Sequence, residues 1–171
     1  WAELEAAQVF RDGSFTHDLL LEAALASVPP PIARELHRQV ARYLEERGVE
    51  PARVAGHWLA AEQWDRAGHA LMDAAVRSMA SCRWREAAHQ LDQAAGCFAR
   101  VDDSEARFEA LHGRAKALVY CDLGDETLAC AREANAAATT DAQRLRGAFA
   151  LLEALAQRGD FGEVLAIGEP A

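Results

Sequence analysis

Apolar residues recur at helical spacing along most of this chain, and short polar turns interrupt them at close intervals. After Pro31, the residues Ile32, Leu36, Val40 and Leu44 fall on one helical face, and Gly48 ends the run. From Glu50 onward the pattern predicts helices near 51–61, 65–80, 84–100, 104–121, 125–138, 141–158 and from 161 to the end. The separating turns include Glu62-Gln63-Trp64, Cys82-Arg83-Trp84, Leu123-Gly124-Asp125 and Arg158-Gly159-Asp160-Phe161. Ala67, Leu71 and Ala74 follow the first, and Ala87, Leu91 and Ala94 the second. Small residues at those positions let two helices approach closely. Connections this short favour antiparallel neighbours.

The first 48 residues read differently. Trp1 to Phe10 has the pattern of a short amphipathic helix, Asp12-Gly13 marks a turn, and Ser14-Phe15-Thr16 is a short polar–apolar stretch. A helix is predicted from about His17 to Ser27 and must stop at Pro29-Pro30-Pro31, because proline lacks the donor and clashes with the preceding turn. A new helix can start at Pro31.

Composition narrows the reading. The chain has 171 residues and a formal net charge of −9, which argues against a surface that neutralises nucleic-acid phosphates. Alanine is the commonest residue and Lys116 is the only lysine. No apolar run approaches the roughly 20 residues that span a bilayer, and no signal peptide is read, so a cytoplasmic protein with no membrane contact is expected. Cys82, Cys97, Cys121 and Cys130 form no CxxC pair and read as small buried thiols in a reducing compartment. The chain begins at Trp1 and stops within a helical pattern, and reads as an excerpt of a longer protein.

Candidate chemistry is sparse. No GxxxxGK[ST] stretch, GxSxG, HExxH or Cys/His cluster is present, so a non-enzymatic segment without metal or cofactor of its own is expected. His69, His89 and His112 lie on different helices, and His37 reads as a packing or hydrogen-bonding residue. Trp58 and Trp64 read as core or seam aromatics. Arg158-Gly159-Asp160 reads as an interhelical turn, with glycine at positive φ and Asp160 capping the next helix. The acidic run Asp102-Asp103-Ser104-Glu105 reads as another cap region.

A stack of hairpins has a concave face lined by the first helix of each pair. Its candidate residues are Met72, Val76 and Met79, then Arg114, Leu118 and Cys121, then Phe149, Glu153 and Ala156. This lining is largely apolar, suited to an amphipathic helix of a protein partner or of the parent chain, a neighbouring repeat or a small apolar inducer. Packing against the chain's own next helices accounts for the same residues equally well. Apolar end faces also give such an array a route to homodimers.

Two resemblances follow from particular strings. Residues 65–100 resemble a tetratricopeptide unit, with Leu71, Ala74, Ala75 and Ser78 in the first helix and Ala87, Leu91 and Ala94 in the second. Leu151, Leu152 and Leu155 followed by Gly159-Asp160-Phe161 resemble the unit again, and Gly124 and Gly159 lie about 35 residues apart, near the roughly 34-residue period. Leu152, Val164 and Glu133 depart from the pattern, and the stretch from Trp84 to Asp125 is longer than one period. The front strings FTHDLLLEAALASVPP, RELHRQVARYLE and AGHWLAAEQWDRA resemble large bacterial transcriptional regulators of the signal-transducing ATPase type. MalT-like and large LuxR-type activators and relatives of the antibiotic regulatory proteins are built this way.

That resemblance implies an all-α fold of antiparallel hairpins stacked as a tetratricopeptide-like right-handed solenoid. Residues 1–48 would end a winged-helix-like domain, and 49–171 would form degenerate repeats with hairpins near 65–100, 104–138 and 141–171. It implies that ATP or ADP binds an upstream domain and that DNA binding belongs elsewhere. His17-Asp18-Leu19 resembles a His-Asp motif whose histidine touches the ADP β-phosphate, so His17 is the nucleotide-sensing candidate of the intact protein. The implied role is a sensor segment coupling a partner or inducer to the nucleotide switch; a free-standing assembly adaptor is the alternative.

Overall fold

A computed structural model describes residues 27–121 and 124–168, with Glu3, 10–11 and 14–15. Among these residues the chain is a succession of helices: α1 (Pro30–Glu46), α2 (Pro51–Ala60), α3 (Trp64–Ala80), α4 (Trp84–Arg100), α5 (Ser104–Val119), α6 (Gly124–Ala137), α7 (Asp141–Arg158) and α8 (Phe161–Gly168). The fold is all-α, as the periodicity predicts, and from Pro51 to Phe161 every helix bound falls within two residues of the expected one. Each helix packs on the next, and α5 also touches α7.

One small departure lies at the front. β1 (Phe10–Arg11) pairs antiparallel with β2 (Ser14–Phe15), in the register Phe10 to Phe15 and Arg11 to Ser14. Phe10 is therefore extended rather than the last residue of a helix. The separating pair in the sequence is Asp-Gly, the dipeptide most favoured in two-residue hairpins. The predicted helix from His17 and its nucleotide candidate lie outside the described residues, save Ser27, which is helical.

The front of the array repeats a unit of one helix and one turn rather than a hairpin. Trp58, Ser78, Phe98 and Leu118 stand twenty residues apart and are all buried. After the first three the chain turns through a non-glycine residue at positive φ: Glu62 at 55°, Cys82 at 56° and Asp102 at 55°. The N–H groups of Gln63, Arg83 and Asp103 then donate to the Trp58, Ser78 and Phe98 carbonyls at 3.0, 2.8 and 3.1 Å. This is the left-handed helix end that satisfies a terminal carbonyl. Two such units span about 40 residues, which explains why Trp84 to Asp125 exceeds the 34-residue period.

Small residues set the helix spacing. Ala67, Ala74, Ala75, Ala87, Ala94 and Ala95 are buried, with Leu71, Leu91 and Leu111 between them. The core forms two clusters along the array. One joins Ala41 and Leu44 of α1 to Val54, Ala55, Trp58 and Phe98, so α1 shares its core with the helices beyond the expected boundary at residue 48. The other holds Leu118, Leu128, Ala150, Ala154 and Leu155. Ser78 Oγ donates to Gln90 Oε1 at 3.0 Å, satisfying a buried polar pair between α3 and α4.

Candidate functional site

The residues expected to line the concave face divide into three groups. Leu118 is buried in the second cluster, and Met72 and Met79 pack against it half-buried. Arg114 pairs with Asp92 at 2.8 Å, and the Cys121 thiol donates to the Ala117 carbonyl at 3.4 Å. Val76, Phe149 and Glu153 are exposed, Phe149 by 64%. Arg114 and Leu118 share with Arg85, Asp92 and Glu126 a cleft of about 180 Å³, whose rim is charged rather than apolar.

Apolar exposure concentrates instead at the two ends of the described array. On α7, Leu145 and Phe149 are one turn apart and exposed by 61% and 64%, and Phe161 of α8 is exposed by 64%. Their counterparts on α5 are covered: Phe108 and His112, also one turn apart, are buried where α5 meets α7. Arg146 crosses that seam, donating to both carboxylate oxygens of Glu109 at 2.5 and 2.8 Å, and this holds the Glu109 carboxyl below its ordinary range. At the other end, the α1 stripe is only partly a core face. Leu44 is buried, whereas Ile32, Leu36, Val40 and Tyr43 are largely exposed. Sequence periodicity identifies the stripe but cannot say whether a neighbour covers it.

The remaining singled-out residues take mostly structural places. Trp58 is fully buried and donates through Nε1 to Glu45 at 3.0 Å; Trp64 is half-buried under the Arg100 guanidinium. Asp103 caps α5, accepting from the Ala106 N–H at 2.9 Å. Gly159 has φ of 79°, as expected for the turn; the Asp160 carbonyl accepts from the Glu163 and Val164 N–H groups at the start of α8, and its carboxylate pairs with Arg158 Nε at 2.9 Å. All four thiols are free; Cys97 and Cys130 are buried as expected, while Cys82 is exposed because it occupies the turn. Burial pushes the Cys130 thiol up to about 11.

The environment of His112 was not legible in the sequence, whereas His37 makes the kind of hydrogen bond read for it and only its partner was hidden. His112 is buried against Phe108 with Nδ1 unpartnered, and burial followed by Lys116 and Arg146 lowers its pKa. His37 and His57, twenty residues apart on α1 and α2, meet with their Nδ1 atoms 2.9 Å apart. No group of three or more His, Cys, Asp or Glu side chains suited to a metal occurs among the described residues, and no helix there is long and apolar enough to cross a membrane. Neither a family model, nor a curated protein, nor a solved structure matches this chain.

Proposed function

We propose that this chain is a non-catalytic protein-interaction and sensor segment, and that it belongs to a bacterial ATPase-type transcriptional regulator. The observation that carries the interaction role is the exposed apolar face of Leu145, Phe149 and Phe161 at one end of the helical array. The equivalent face of α5 is closed by a helix, so a helical partner or a further helix of the parent chain suits it. The link to a nucleotide switch rests on the resemblance of the front strings, with the tetratricopeptide likeness as second support. In this reading a partner or inducer engages the array, biases its packing on the front segment, and shifts a nucleotide-dependent equilibrium. ATP or ADP would bind an upstream domain, and DNA another.

The test uses the parent reading frame. A phosphate loop is expected within about 300 residues upstream of Trp1, roughly two domain lengths; its absence favours the free-standing adaptor. In the intact regulator, Phe149→Glu is expected to abolish inducer-dependent transcription while leaving ADP retention intact. His17 substitution is expected to do the reverse and release ADP. Unchanged transcription in the Phe149 variant would sink the interaction role.

A further inference from the structure

We propose that the His37–His57 pair is a proton-operated latch between α1 and α2. The two Nδ1 atoms are 2.9 Å apart with ring centroids 5.1 Å apart and planes tilted by 38°, so the ring nitrogens address each other directly. At that distance one Nδ1–H donates to the other Nδ1, which must be unprotonated to accept. The bond therefore requires at least one neutral ring. When a further proton from solvent occupies the accepting nitrogen, two donors and two positive charges face each other and the bond is lost.

Among the described residues, the acids near the pair, Glu35 and Glu62, are each already engaged by an arginine. On α1 the flanking charges are Arg34, Glu35 and Arg38; Arg34 pairs with Glu62 of the α2–α3 turn at 2.9 Å, and Arg38 with Glu35. On α2, Arg53 has no carboxylate partner among the described residues and acts on His57 as a bare positive charge. On α3, which packs against α2, Arg66 is directed to Glu45 and Asp65 to His69. Burial, then His37, then Arg53 lower the pKa of His57 below its ordinary value. A histidine held neutral in the fold contributes stability that is full above its unfolded value, about 6.5, and lost as pH falls through its depressed folded value.

Opening would be local. Beyond the latch, α1 stays anchored by Ala41 and Leu44 in the core and by the Trp58 Nε1–H donating to Glu45. Among the described residues, the first turns, bearing exposed Ile32 and Leu36, are tied to the next helices by the Arg34–Glu62 ion pair. Acidification thus frees the start of α1 while its end holds, placing a pH-sensitive hinge where the front segment joins the array.

Ring ¹⁵N chemical shifts measured against pH in the 171-residue chain, with hydrogen exchange of residues 30–40 corrected for intrinsic rates, test this. The expected result is a pair whose last proton is taken up below pH 6.5, with exchange of residues 30–40 rising about tenfold over the same interval. His57→Gln and His37→Gln are each expected to flatten that rise. Rings that titrate independently near their ordinary value, or exchange that stays level once both rings are charged, would overturn the latch. Should a variant fail to fold, the wild-type titration still decides.

Discussion

The turn at Cys82 offers the sharpest test of the physics behind the array. Cys82 sits at φ 56°, where an L-residue's Cβ crowds its own backbone at about 1–2 kcal/mol. Its side chain is exposed, so Cys82→Gly removes no buried contact. Glycine's larger unfolded entropy offsets about 0.5–1 kcal/mol of the relief. A net stabilisation of about 0.5–1 kcal/mol is expected, read as a higher urea midpoint at unchanged slope and a melting temperature raised by about 1–4 °C. Cys82→Ala, which keeps the Cβ, is expected to change little. Ala80→Gly, two residues earlier and still helical, is expected to cost about 1 kcal/mol. Glu62→Gly should gain as Cys82→Gly does, and Asp102→Gly less, because short polar side chains tolerate this conformation better. A Cys82→Gly variant no more stable than Cys82→Ala would refute the reasoning, since relief at this φ is its only source of gain.

Other outcomes follow from particular contacts. Gly96→Ala on α4 meets nothing within 4 Å and is expected to stabilise by about 1 kcal/mol, whereas a Cβ on Gly147 would stand 2.9 Å from the Asn135 backbone. Gly147→Ala is therefore expected to lose about 1–2 kcal/mol net in denaturant unfolding, overpacking exceeding the helix gain. His112 is held neutral by burial, so stability should fall as pH drops below about 6.5, and His112→Leu should remove part of that slope in urea midpoints taken from pH 7.5 to 5. A double-mutant cycle on Arg146 and Glu109, half-exposed across the α5–α7 seam, is expected to give a coupling of about 0.2–1 kcal/mol that shrinks in high salt.

Much of this was legible because helix formation and termination are local. The alanine-rich stripes specify which faces can approach, and prolines, glycines and acidic caps mark several of the helix starts and stops; Asp103 and Gly159 do what their sequence positions require. The sensor candidates were less legible. Val76 and Leu118 share the same apolar character, yet one is exposed and the other buried. Cys82, placed in a turn by the sequence, reads as a buried thiol, yet it is exposed at positive φ. His37 reads as a hydrogen-bonding residue, but that its partner is His57 carries no signal, because twenty residues and two helix directions separate the rings.

The sequence by itself determined the alternation of helices and turns, since hydrophobic period, propensity and breakers act within a few residues of where they are written. Only the tertiary structure decided the twenty-residue unit, the closing of α5's face beside the open one of α7, and the meeting of two imidazoles. Those depend on which helix lies against which. That choice is set by the summed fit of distant side chains and leaves no mark on any single stretch of chain.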